Sequence, residues 1–180
     1  MTPADQLTVA RAAVVPLVVI LFTWNFTHHA YWATAVFIVA MATDQVDGWL
    51  ARRQGRSTAL GSLLDPIADK ILVLAALVVL VDENVFRGWM VAAIVAREFL
   101  VTGLRLAALE KGVVVHARDL GKLKTWAQAT AAAIGGFAAA GAWSTSVAWW
   151  ALLVAVALTW VSGLDYARVA PSVFRSRAVA

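Results

Sequence analysis

Between residues 42 and 70 the stretch ATDQVDGWLARRQGRSTALGSLLDPIADK sets four aspartates, Asp44, Asp47, Asp65 and Asp69, inside a chain that is otherwise strongly apolar. On a helix Asp44, Asp47 and Ala51 fall at i, i+3 and i+7, so one stripe carries two carboxylates beside Gly48 and Ala51, which have almost no side chain. That stripe can be approached closely. An arginine-rich turn follows, and then Gly61, Asp65 and Asp69 repeat the device at i, i+4 and i+8. Four carboxylates gathered in a low dielectric repel one another, so protonation or bound cations must neutralise them. Oxygen-only ligands favour Mg²⁺, Mn²⁺ or Ca²⁺ over zinc or copper, and carboxylate pairs on two helices suit a clamp of two ions about 4 Å apart. Such clamps commonly handle phosphate. Gly48 and Gly61 would let a nucleotide or phosphate reach the backbone, and Arg52 offers a planar fork to phosphate oxygens. Pro66 removes a helical donor beside Asp65 and is expected to bend or open the helix there.

The elements that must hold these acids are membrane helices. Hydrophobic residues make up 62% of the 180-residue chain, and the mean hydropathy is +0.77, far above a soluble domain. Apolar windows between polar breaks predict six helices near residues 7–25, 31–53, 58–81, 88–109, 120–141 and 147–168, each reaching about 20 residues and so able to cross about 30 Å of hydrocarbon. Strict apolar alternation is lacking, which argues against a β-barrel. The connections are short, so consecutive helices run antiparallel and the two aspartate pairs come to similar depth. The first apolar stretch is read as a retained helix, preceded by a short interfacial lead-in. With no cysteine in the chain, disulfides, thiolate metal sites and cysteine nucleophiles are excluded.

Basic residues then orient the bundle. Arg52, Arg53 and Arg56, Lys111, Arg118, Lys122 and Lys124, and Arg168, Arg175 and Arg177 all fall on one side of the predicted spans, against Arg87 alone on the other. By the positive-inside rule both termini and the aspartates face the cytoplasm. The expected architecture is an all-α integral membrane protein, one domain over residues 1–180, in which six transmembrane helices enclose a cytoplasm-facing polar cavity. Tryptophans such as Trp24, Trp32, Trp89, Trp143, Trp149 and Trp150 fall near span ends, as an interfacial belt would place them. The run GGFAAAGA from Gly135 offers small residues for tight helix packing or a homodimer face.

In this setting Asp44, Asp47, Gly48, Ala51, Arg52, Gly61, Asp65 and Asp69 match without departure the signature of the CDP-alcohol phosphotransferases, a family the chain therefore resembles. The resemblance implies two divalent cations, Mg²⁺ or Mn²⁺, held by Asp44, Asp47, Asp65 and Asp69 on the diphosphate of a CDP-linked donor. It implies nucleotide contacts from Asp44, Gly48, Arg52 and Gly61, with Ser57 in the turn between them, and Asp69 as the base for the acceptor hydroxyl. Outside the signature, LTVARAAVVPLVVIL, VAREFLVTGLR and LGKLKTWAQ are similar to the bacterial branch that makes phosphatidylglycerophosphate. That likeness implies CDP-diacylglycerol as donor, sn-glycerol 3-phosphate as acceptor and the bacterial cytoplasmic membrane as location.

An anionic acceptor is favoured by the residues themselves. Glu98 and Arg105 lie seven apart on nearly one helical face, and Lys122 and Lys124 open the next helix at the same cytoplasmic end. The amides at that helix start add positive potential for a phosphate. Arg105, Arg118, Lys122, Lys124 and Arg168 are thus the candidate acceptor-phosphate residues; the same positions also satisfy the positive-inside rule or meet lipid headgroups. Nucleic acid is not expected as a partner. Arg97 is expected to pair internally, and Lys70 to snorkel or pack. Inositol phosphate, serine and phosphatidylglycerol stand as alternative acceptors. An ion or solute transporter is the rival from another class, and it would spread charge through the membrane depth instead of gathering acids at one level.

Overall fold

The computed structural model describes the backbone of residues 3–24, 26–54, 59–110 and 119–175, and within these the side chains of 13–24, 26–43, 70–104, 106–108, 121 and 123–164. Among the described residues there are six helices and no strand: α1 (Pro3–Thr23), α2 (His29–Gln54), α3 (Ala59–Asp82), α4 (Gly88–Glu110), α5 (Asp119–Ala139) and α6 (Thr145–Arg175). At 1.5 Å per residue the 21 residues of α1 reach about 32 Å and the 31 of α6 about 46 Å. The polar breaks in the sequence fall where the helices stop. Two boundaries differ. Helix α1 begins at Pro3, where a lead-in was expected, because proline without its N–H suits a first helical turn. Helix α6 continues through Pro171 to Arg175. Helix α3 likewise stays helical through Pro66.

Local chemistry explains the stops. Gly141 takes φ 76° at the end of α5; the Ala142 amide donates to Phe137 O at 2.9 Å and the Gly141 amide to Ala138 O at 3.0 Å, a Schellman closure. Asn84 does the same for α3 at φ 59°, with Val85 N donating to Leu80 O at 3.1 Å. At the start of α6, the Ser144 hydroxyl accepts from the Ser146 amide at 3.2 Å.

Chain neighbours are not always the main packing partners. Helices α2 and α3 barely touch; α1 packs on both of them, and α5 reaches both from the other side while pairing most extensively with α6. Two glycines explain how α5 enters. A Cβ on Gly135 would come within 2.6 Å of Phe86 Cζ, and one on Gly136 would collide with the Thr34 hydroxyl. Gly135 and Gly136 of the GGFAAAGA run are therefore buried against side chains of this chain, while Gly141 at its end is exposed. Gly136→Ala is expected to lower stability by about 1–3 kcal/mol. Thermal unfolding in detergent would check this, and adding Thr34→Ala should recover part of the loss.

The core gathers Val18, Phe22, Phe37, Leu72, Leu77, Leu80, Met90, Ile94 and Leu152. Large apolar side chains also cover the outside, among them Trp32, Val39, Val78, Phe99 at 71% exposure, Leu100, Trp126, Trp150 and Val161. Meanwhile Thr34, Arg97, Glu98, Lys124, Gln128, Thr159 and Ser162 are buried. An apolar exterior, with a buried polar and charged cluster beside the apolar core, departs from the soluble pattern. Among the described residues one stretch, Thr145–Leu164, is long and apolar enough to cross a membrane by itself, with shorter apolar runs at Ala13–Thr23 and His29–Thr43.

Candidate active site

The aspartates stand on two uninterrupted helices. Residues 44–52 lie in the second half of α2, and residues 61–69 lie in the first half of α3. The spacings i, i+3 and i, i+4 are thus realised on continuous helical backbone. The side chains of Asp44, Asp47, Gly48, Arg52, Gly61, Asp65 and Asp69 lie outside the described set, and Ser57 lies outside the described residues altogether. Among the described residues no group of three His, Cys, Asp or Glu gathers.

Cross-helix contacts fix which ends share a level. Thr34 near the start of α2 meets Gly136 near the end of α5, and Leu80 near the end of α3 and Phe86 just after it meet Gly135. Lys70 of α3 reaches Thr102 of α4, and Lys124 of α5 reaches Glu98 of α4. Helices therefore alternate in direction. The end of α2, the start of α3, the end of α4 and the start of α5 converge on one end of the bundle, together with the end of α6. Of the candidate acceptor residues, Arg105, Lys122 and Arg168 sit on this end of α4, α5 and α6 with side chains outside the described set, and Arg118 lies outside the described residues.

Lys124 is the described member, and it stands in a charge cluster set just below that end. Glu98, 3% exposed, is the centre. Its Oε1 accepts from the Lys124 ammonium and, at 3.0 Å, from Arg97 Nη1. Lys70 Nζ lies 3.2 Å from Oε2 and donates to the Thr102 hydroxyl at 2.9 Å. Arg97 Nη2 donates to Ser162 Oγ at 3.0 Å. A Cβ on Gly163 would stand 3.0 Å from Arg97 Nε, so the absence of a side chain there makes room for the guanidinium. Gln128 Nε2 donates to the Thr159 hydroxyl at 2.8 Å, joining α5 to α6 one turn away.

Three cations surround one carboxylate in this cluster, which leaves two positive charges unmatched among the described side chains. Buried charge of one sign is costly and is relieved by a counter-ion. The cluster is therefore suited to stand beside a bound anion. Arg97 pairs internally, as expected. Lys70 does more than snorkel: it bridges α3 to α4 from the position next to Asp69. Spacing along α3 gave no sign of this, because the partner Glu98 is brought over by packing. The available signal was an acid, Glu98, in the apolar middle of α4, which calls for a cation from a neighbouring helix.

Comparison with known proteins adds the chemistry. Residues 1–161 match the family model described as CDP-alcohol phosphatidyltransferase. The chain is 45% identical over 136 residues to the CDP-diacylglycerol–glycerol-3-phosphate 3-phosphatidyltransferase of Bacillus subtilis, covering 69% of this chain and 70% of that one. It is 41% identical over 132 residues to the Escherichia coli K12 protein of the same name, covering 71% and 72%. A Pseudomonas fluorescens protein of that name is 41% identical over 133 residues, covering 72% of this chain and 66% of that one.

Proposed function

We propose, since the chain belongs to the CDP-alcohol phosphatidyltransferase family, that it transfers the phosphatidyl group of CDP-diacylglycerol to a hydroxyl of sn-glycerol 3-phosphate, giving phosphatidylglycerophosphate and CMP. The protein is an enzyme. What carries the choice of substrates is that relatives 41–45% identical to it bear that one activity in their names. The charge cluster supports it, because among the described residues three cations share one carboxylate near the aspartate end, which suits an acceptor with a phosphate of its own.

In this reading six helices span the bacterial cytoplasmic membrane, with both termini and a polar cavity facing the cytoplasm. The apolar exterior and the buried polar cluster support that placement, as do helices of 21 to 31 residues. The aspartates fit a pair of Mg²⁺ or Mn²⁺ ions: α2 and α3 run unbroken through residues 44–47 and 65–69, and all four donors are carboxylates. Asp44, Asp47, Asp65 and Asp69 would hold such ions, which when bound neutralise the diphosphate and polarise its oxygens.

The chain's own residues do the rest. Gly48, Arg52, Gly61 and Ser57, with Asp44, would seat the cytidine diphosphate. Lys124, with Arg105, Arg118, Lys122 and Arg168, would take the acceptor phosphate and present its hydroxyl. Asp69 would accept that hydroxyl's proton as the oxygen bonds in line to the β-phosphorus and the bond to the CMP oxygen breaks.

The test is CMP release by purified protein given CDP-diacylglycerol and Mg²⁺ with one acceptor at a time. Glycerol 3-phosphate is expected to support release, and chelation to stop it. Inositol phosphate, serine and phosphatidylglycerol are expected to give none. Release with one of those three instead would keep the chemistry and overturn the acceptor.

A further inference from the structure

The Glu98 cluster joins four helices through one carboxylate, and its reach goes beyond holding the fold. Oε1 holds Lys124 of α5, and Oε2 faces Lys70 of α3, the residue that follows Asp69. Arg97, the preceding residue on α4, carries the connection to Ser162 of α6. We infer that Glu98 is a positioning residue for the transfer reaction: it sets the Lys124 ammonium relative to the Asp69 stretch of α3, so that acceptor phosphate and acceptor hydroxyl arrive in register. The inference rests on the reading of the chain as a phosphatidyltransferase.

Three observations carry it. First, among the described residues three cations share the one carboxylate of Glu98, which makes it the common point between their helices. Second, Lys70 is tied at two points on α4, Thr102 and Glu98, one helical turn apart. That couples α3 to α4 at the residue next to Asp69. Third, Lys124 is only 7% exposed, so its long side chain is already ordered before any substrate arrives. Ordering a lysine costs up to about 2 kcal/mol, and a site that has met this cost beforehand binds its anion more tightly. In-line transfer also tolerates little misplacement, because an error of about 1 Å can cost 10²-fold in rate.

Two arms follow from the two oxygens. Losing the whole carboxylate should free Lys124 and loosen α3 together. Losing Lys70 should loosen α3 alone.

The experiment measures kcat and KM for donor and acceptor separately, with thermal midpoints, on the full chain in lipid nanodiscs. Glu98→Gln is expected to raise the KM for glycerol 3-phosphate about tenfold and to lower kcat, with the KM for CDP-diacylglycerol within about twofold of wild type. Glu98→Asp, which keeps the charge but is one methylene shorter, should recover part of both. Combining Glu98→Gln with Lys124→Gln should cost less than the product of the two single effects, because the pair acts as a unit. Lys70→Met should lower kcat while leaving acceptor KM within about twofold, and it serves as the second reading if Glu98→Gln does not fold. Donor and acceptor KM rising together, or strictly additive losses, would reduce Glu98 to a fold-holding residue and overturn the inference. An unaltered kcat in Lys70→Met would remove the α3 arm. If the wild type proves to use another acceptor, the glycerol 3-phosphate reading falls and the same ratios are taken on that acceptor. A wild type that releases CMP with none of them overturns both readings.

Discussion

Asp69→Asn is expected to cut turnover by at least about 10³-fold while CDP-diacylglycerol still binds. Asparagine keeps the size and one oxygen of aspartate but cannot take a proton from the acceptor hydroxyl. A positioned general base commonly contributes 10²–10⁴-fold, and this residue is also proposed as a metal ligand, so the loss should fall in the upper part of that range. Asp44, Asp47 and Asp65 remain to hold the donor. The measurement pairs initial rates of CMP release with retention of radiolabelled CDP-diacylglycerol on the purified variant. Turnover within tenfold of wild type would mean that another group takes the proton.

The second large effect is expected at Lys124. Lys124→Ala should lower kcat/KM for glycerol 3-phosphate about 100-fold, which corresponds to about 2.7 kcal/mol, near the upper end for a hydrogen bond to a charged group. Removing one partner of a buried ion pair ordinarily damages the fold, because the other charge is left alone. Here Glu98 keeps Arg97 at 3.0 Å and Lys70 at 3.2 Å, so its charge stays matched and the loss concentrates on the acceptor. The KM for CDP-diacylglycerol should move by no more than about twofold. Equal kcat/KM for glycerol 3-phosphate in the variant and the wild type would take Lys124 out of the acceptor pocket.

Much of this arrangement could be read before any fold was known. Helix ends were legible because polar breaks such as Asp82 to Arg87 interrupt apolar runs sharply, and six helices stand within a few residues of those breaks. The signature from Asp44 to Asp69 was legible because its chemistry is local: carboxylates three and four residues apart on two successive helices. It identified the family to which the chain belongs. What spacing does not encode is which helix lies against which. Helices α2 and α3 follow each other in the chain, yet α1 takes the larger share of contact with both. Lys70 illustrates the same limit at the level of one residue. Its neighbours in sequence are apolar apart from Asp69, so it reads as a snorkelling cation; its partner lies 28 positions away on α4. Gly135 and Gly136 were readable as packing residues, but not which partners they admit, because a missing side chain has no preference of its own.

The polar contacts also sort into pairs of successive helices. Helices α3 and α4 form one hairpin with its own bonds, Lys70 to Thr102 and to Glu98. Helices α5 and α6 form another, joined by Gln128 and Thr159. In a bilayer a lone charged residue at mid-depth costs about 2.5–3.5 kcal/mol on insertion scales, so α4 released by itself would expose Arg97 and Glu98 to lipid with only each other for company. As a hairpin with α3 it would bring Lys70 to the same carboxylate. The second hairpin would add Lys124 and Ser162 to those groups. In the membrane placement proposed above, insertion by pairs of helices would leave each buried charge with a partner, and the contact between Glu98 and Lys124 is where the two pairs would join.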